Sequence, residues 1–270
     1  MRTRTRKSER KFGSASPSDT GTSDFTAPTH ADAFLVLCCA LWFAALLFSL
    51  ARLTPPLPDF GSLETQARKS AFFEYLRPIV RKVNDRTRDD KAYVDKLMAQ
   101  LESGNEPSWF ERSRIASLAE KYEVETADLE YAEVLATLER RIGVIPEPLV
   151  LIQAAKESGW GTSRFAVEGN NLFGQRCYER GCGIAPLGRA ENTRFGVARF
   201  DTVEASIESY TRNLNTHPKY QGFRELRQQL RKLDRPLKAL DLAQGLLGYS
   251  ERGQVYVEEI KSMIRQNDLE

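Results

Sequence analysis

The sequence predicts a mainly α-helical protein with one small β-lobe. Three observations predict it. Beyond residue 59 most of the chain repeats apolar residues every three or four positions between recognisable caps and breakers. Only one stretch, Gly183–Phe200, is broken by Gly, Pro and Asn and carries the alternating run Phe195-Gly-Val-Ala-Arg-Phe200 of a short hairpin. A short helix that is apolar on nearly all sides, Pro148 to Glu157, ends in the glycine turn Ser158-Gly-Trp-Gly161 and reads as buried.

In chain order, six basic residues (Arg2, Arg4, Arg6, Lys7, Arg10, Lys11) crowd the first eleven positions. The stretch to Ala31 is rich in Ser, Thr, Pro and Gly and poor in apolar residues, so disorder is expected over 1–32. Residues 33–50 form an uncharged apolar run of 18, bounded by Asp32 and Arg52 and followed by Pro55, Pro56 and Pro58. That length just spans a bilayer, so one transmembrane helix is expected over 33–51. The basic arm precedes it, which puts the N-terminus inside and the remainder outside. A cleaved signal peptide is the competing reading, since Ser49 and Ala51 are small. Against it, the run exceeds a typical signal core and 32 residues precede it. A net charge of +2 gives no bulk electrostatic case for nucleic acid as a partner.

A proline-rich linker, 52–59, leads to a helical membrane-proximal segment, 60–143. Ser62–Asn84 is one expected helix, bent or broken near Pro78. Asp89–Leu101 is the next, stopped by Ser103-Gly104-Asn105. Ser108-Trp-Phe-Glu111 has the form of a capping box and opens Trp109–Tyr122. Ala127–Ile142 follows and ends at Gly143. These helices show no chemistry of their own and read as packing.

The domain 144–270 begins with the apolar helix. Val150, Ala154 and Glu157 share a face, with Trp160 one turn on. A carboxylate beside apolar groups, at the negative end of a helix dipole, has its pKa raised, as a general acid requires. After the lobe, Val203, Ile207, Tyr210 and Leu214 mark an amphipathic helix. Further helices are expected over Phe223–Leu233, Leu237–Leu247 and Gly253–Gln266.

Gln153-Ala-Ala-Lys-Glu-Ser-Gly-Trp-Gly161, Asn171-Leu-Phe-Gly174 and Tyr210 to Tyr220 occur in the order used by a known family. The chain resembles the glucosaminidase family of peptidoglycan hydrolases, which includes the muramidase domain of the flagellar rod-cap protein. The Cys177…Cys182 loop fits its Bax-type branch best. The resemblance is specific over Glu147–Phe223, looser over Asp59–Asn267, and absent from 1–58. It implies a lysozyme-like α+β catalytic domain that cleaves β-1,4 glycosidic bonds of peptidoglycan glycan strands, in the manner of an endo-β-N-acetylglucosaminidase. A bacterial inner-membrane protein with its catalytic domain in the periplasm follows. Lytic transglycosylation and an inactive peptidoglycan-binding scaffold are the alternatives.

The resemblance also implies site roles. Glu157 matches the catalytic acid. A second carboxylate is expected from the β-lobe, where Glu191 lies, with Glu168 and Glu179 as alternatives. The substrate's own N-acetyl group could instead replace a protein nucleophile. Tyr220 matches a tyrosine that supports the reaction centre. Ser158 resembles the serine of the Glu-Ser pair in lytic transglycosylases. Trp160, Asn171, Phe173 and Tyr210 are expected to shape the sugar groove, although Phe173 and Tyr210 also fit a core placement.

Cys177 and Cys182 lie in one predicted loop of an exported domain, so a disulfide is the simplest reading. Two cysteines and a distant His217 are too few for a zinc tetrad, and no metal or cofactor is expected. His30 lies on the other side of the apolar run, and no phosphate-binding glycine loop occurs.

Overall fold

The computed structural model describes residues 56–179, 182–185 and 195–270, together with Cys39, Trp42 and Phe43. The expected basic arm, most of the expected membrane span and Glu191 lie outside the described residues. Among the described residues no helix is long and apolar enough to cross a membrane.

Thr54–Glu270 is one compact unit. A short 3₁₀ turn, Phe60–Ser62, leads to helix α1, Thr65–Glu102. At 38 residues α1 is about 57 Å long. It joins the two helices that the sequence suggested were separate. Pro78 does not stop it, because Pro78 and Glu74, whose carbonyl loses its partner, both lie on the exposed face. The stretch left between the two expected helices, 85–88, is also helical. The polar groups beside it are tertiary anchors: Asn84 bonds both the N–H and the C=O of Ile145 at 3.2 and 2.8 Å. Asp90 is buried and paired with Arg114 at 2.8 Å and Lys121 at 2.5 Å, and accepts from Tyr122.

Helix α2, Trp109–Lys121, starts where expected, and Glu111 accepts from the Ser108 N–H at 2.8 Å. Helix α3, Tyr131–Arg141, starts later than expected, after Glu130. Helix α4, Glu147–Ser158, is the apolar helix, with seven consecutive buried residues from Leu149 to Ala155. Helix α5, Arg164–Gly169, follows.

The β-lobe is one antiparallel pair among the described residues. Strand β1, Arg176–Cys177, pairs with β2, Gly196–Val197, with Arg176 opposite Val197. Helices α6 (Val203–Thr216), α7 (Gln221–Lys232), α8 (Ala239–Ala243) and α9 (Gln254–Gln266) complete the unit. The α6 stripe Val203, Ile207, Tyr210 and Leu214 is buried as its spacing predicts. Helix α7 begins at Gln221 and runs through Gly222, and the segment after α8 is a 3₁₀ turn rather than a continued helix.

Two hydrophobic clusters organise these elements. One joins Phe60 to Val83 of the N-terminal part with residues 145–269. The other holds Val94 to Ile142, from the far half of α1, α2 and α3. The packing therefore does not divide at the expected boundary near residue 144. The first half of α1 belongs to the core that carries α4. Ion pairs reinforce this placement: Arg77 to Glu147 at 2.6 Å and Lys82 to Glu204 at 2.8 Å.

Buried Arg227 ties the clusters together. It donates to Asn215 Oδ1 at 2.6 Å and to the Arg141 carbonyl at 2.7 Å, capping the open end of α3. Gly143 is required beside it, since a Cβ there would stand 2.4 Å from the guanidinium carbon.

Candidate active site

Glu157 stands in the last turn of α4. Three successive residues with positive φ follow it: Gly159 (58°), Trp160 (60°) and Gly161 (77°). This left-handed turn is held from inside by Ser158. Its hydroxyl donates to Ala154 O at 2.6 Å and accepts from Gly161 N at 2.8 Å. Gly161 is needed for a second reason: a Cβ there would lie 2.6 Å from the Phe60 ring. Trp160 is pinned by edge contacts to Phe72 and Phe73, at 5.9 and 5.3 Å between centroids, and Lys69 lies over its ring. The reverse turn that ends α4 is thus fastened to α1.

The carboxylate is exposed on one side and meets a polar network on the other. Tyr256 of α9 donates to Glu157 Oε1 at 2.9 Å. Gln153 Nε2 donates to the Tyr256 hydroxyl at 3.0 Å, and the Tyr210 hydroxyl donates to Gln153 Oε1. Burial raises the pKa of Glu157, while the Tyr256 bond and the charge of Lys156 act in the opposite direction. Lys156 is itself paired with Glu259 at 2.7 Å, which tempers its influence on Glu157. Burial also pushes the Tyr256, Tyr249, Tyr210 and Tyr220 hydroxyls up, with Glu157 contributing to each, so all four stay protonated donors.

The expected site residues divide by what they touch. Tyr220 is buried, 6.0 Å from Tyr249 between ring centroids, and Tyr249 stacks on Tyr256 at 5.4 Å. A tyrosine cluster therefore links Tyr220 to Tyr256, the partner of Glu157. Tyr210 and Phe173 are buried and stacked on each other at 4.0 Å. Asn171 is buried and uses its full amide capacity within the fold. It donates to Gln175 O and Ala198 O and accepts from the N–H groups of Phe173 and Gln175. Asn171 thus fastens the Asn-Leu-Phe-Gly turn to the β-lobe. Ser158 faces the turn and not the carboxylate. Of the three candidate second carboxylates, Glu168 is exposed and pairs with Arg164, Glu179 is exposed in the cysteine loop, and Glu191 lies outside the described residues.

Cys177 and Cys182 form a disulfide with Cα atoms 6.0 Å apart. It closes the loop that leaves β1. Gly183 packs against this bridge, and a Cβ there would lie 2.0 Å from Val197 O. Arg176 lies 4.3 Å over the Phe195 ring.

The sequence reading missed Tyr256, Tyr249 and the role of Gln153. Tyr256 sits on the apolar stripe Tyr256, Ile260, Ile264 of the last helix, a pattern that signals core. Gln153 gave a usable sign: a lone amide in an otherwise apolar helix needs a buried partner. A separate open concavity of about 230 Å³ is lined by Arg140, Arg141, Arg224 and Glu225, and shares no residue with this site.

The family model described as mannosyl-glycoprotein endo-beta-N-acetylglucosaminidase matches residues 132–269. Protein bax of Escherichia coli (strain K12) is 34% identical over 212 residues, which is 78% of this chain and 74% of that protein. The chain belongs to the glucosaminidase family. No solved structure matches it. The family model covers Glu157 and the tyrosines but stops short of Phe60–Val83, which completes the core beneath them.

Proposed function

We propose that this protein is a peptidoglycan hydrolase that cleaves β-1,4 glycosidic bonds on the N-acetylglucosamine side of the glycan, with Glu157 as general acid. The observation that carries this reading is the setting of Glu157. It is a carboxyl with one face open, held by a tyrosine hydroxyl, with its pKa raised by burial, in a chain of the glucosaminidase family.

Glu157 donates its proton to the leaving glycosidic oxygen as the sugar gains oxocarbenium character. Proton loss leaves a carboxylate that Tyr256 stabilises. The second group is Glu191 or the substrate's own acetamide, and that choice sets the stereochemical course. The Glu-Ser feature that suggested lytic transglycosylation is weakened as a catalytic pair, since the Ser158 hydroxyl is committed to Ala154 and Gly161. Residues 33–50 anchor the enzyme in the inner membrane with the catalytic unit in the periplasm.

Glu157→Gln tests the assignment. It keeps an acceptor for Tyr256 and removes the proton. The variant is expected to fold and to release no soluble fragments from purified sacculi. Near wild-type release would remove Glu157 from the mechanism. A periplasm-dependent reporter fused after Glu270 is expected to be active, with the chain in the membrane fraction. Soluble protein beginning at Arg52 would show a cleaved signal instead.

A further inference from the structure

The network behind Glu157 has a direction. Tyr210 and Gln153 are wholly enclosed, and among the described residues the Tyr210 hydroxyl has one hydrogen-bond partner, Gln153 Oε1. Tyr210 must therefore donate there, because an unpaired buried hydroxyl hydrogen is costly. That fixes the Gln153 amide. Turned over, its NH₂ would face Tyr210 and leave the Tyr210 hydrogen without an acceptor. With the amide so fixed, its N–H points at the Tyr256 oxygen. The Tyr256 hydrogen then has one place to go, Glu157 Oε1 at 2.9 Å. Among the described residues Oε2 has no hydrogen-bond partner.

We propose that Tyr256, set by Gln153 and Tyr210, is a positioning residue that keeps Oε1 of Glu157 an acceptor and confines the acidic proton to Oε2. The inference rests on Glu157 being the general acid. In a carboxylic acid the carbonyl oxygen is a much stronger acceptor than the hydroxyl oxygen, so the bond from Tyr256 favours Oε1 as the carbonyl oxygen and the hydrogen on Oε2. The proton is held on the oxygen free to reach the glycosidic bond. As the proton leaves, the Tyr256 bond becomes one to a charged acceptor and strengthens, so it favours the transition state over the resting acid. Other charged or titratable groups round the carboxyl are Lys156 on its own helix, Glu259 acting through Lys156, and the Tyr249, Tyr220 and Tyr210 hydroxyls from three other elements. None of these is hydrogen-bonded to it, so Tyr256 is the group whose removal changes its proton affinity through direct contact.

Tyr256→Phe keeps the ring that stacks on Tyr249 and deletes the donor. Its maximal rate on purified sacculi is expected to fall roughly tenfold to a hundredfold, the weight of one hydrogen bond to a charged group. The alkaline limb of its pH–rate profile is expected to move to higher pH, because the carboxylate loses a stabilising donor. Tyr210→Phe, which keeps the ring stacked on Phe173, is expected to move the limb the same way by less. ¹³C titration of the Glu157 carboxyl in wild type and both variants reads the shift without turnover. A folded Tyr256→Phe protein with wild-type rate and an unmoved limb would overturn the proposal, as would an unmoved titration in a folded Tyr210→Phe protein if Tyr256→Phe fails to fold. Glu157→Gln separates the two levels. If it is inactive while these profiles stay put, the positioning role alone fails; if it is active, the acid itself is wrongly assigned.

Discussion

The C-terminal fragment 132–270, which the family model matches over 132–269, is expected not to fold alone. The perturbation removes Phe60, Phe72, Phe73, Leu76, Ile79, Val80 and Val83, all buried in the same cluster as α4, α6 and α9. Burying an apolar side chain of this size contributes about 1.5–3 kcal/mol, so the loss is about 10–20 kcal/mol as an upper estimate. A whole domain of ordinary stability has about 5–15 kcal/mol in total. The cut also leaves Glu147 and Glu204 without Arg77 and Lys82. It takes away the ring contacts that pin Trp160, in the middle of the turn beyond Glu157. Residues 56–270 and 132–270 should be produced in parallel under oxidising conditions and compared by amide NMR, urea unfolding and release from sacculi. The longer protein is expected to show dispersed amides, one cooperative transition and activity, and the shorter neither dispersion nor activity. A cooperatively folded, active 132–270 fragment would refute the claim that α1 is part of the catalytic core.

Replacing Cys177 and Cys182 together by Ser should lower activity more than stability, because the bridge closes a loop of sequence separation five. Its stability contribution should stay below about 3 kcal/mol, measured by urea unfolding beside sacculus assays. Glu157→Gln should raise the melting temperature at neutral pH. The folded-state pKa of Glu157 is raised, so its stability contribution is full below the unfolded value of about 4.3 and is lost as pH rises through the folded value. The advantage of the variant should therefore vanish in scans below about pH 4, and an advantage that persists there would contradict the raised pKa. Gly143→Ala should destabilise the unit by about 3 kcal/mol or more, since its Cβ would displace the buried guanidinium of Arg227 from the carbonyls it caps. Unchanged unfolding would show that Arg227 can move freely.

The part of the site written in local sequence was legible. The apolar run before Glu157, the glycine turn after it and the stripe Val203, Ile207, Tyr210, Leu214 each obey a short period, and each forms as expected. What could not be read depends on partners far along the chain. Asn84 and Asp90 fall at the ends of two separately expected helices, and their anchoring role shows only once their partners, 61 and 24 to 32 positions away, are in place. Pro78 looks like a break until the solvent-facing side of α1 is known. Tyr256 reads as core because it lies on an apolar stripe, and only the fold puts its hydroxyl 99 residues back against Glu157. The β-lobe shows the same limit: the alternating run gave β2, but its partner β1 is two residues long and carries no periodic signal.

The central claim, that Glu157 is the acid of a glycoside hydrolase acting on peptidoglycan, is tested most directly by product chemistry. Purified sacculi incubated with the wild-type protein or with Glu157→Gln, then resolved by mass spectrometry, report which ends are made. New reducing N-acetylglucosamine ends are expected with wild type and none with the folded variant. Anhydro-sugar ends, no new ends from folded wild type, or the same ends from both proteins would contradict the claim.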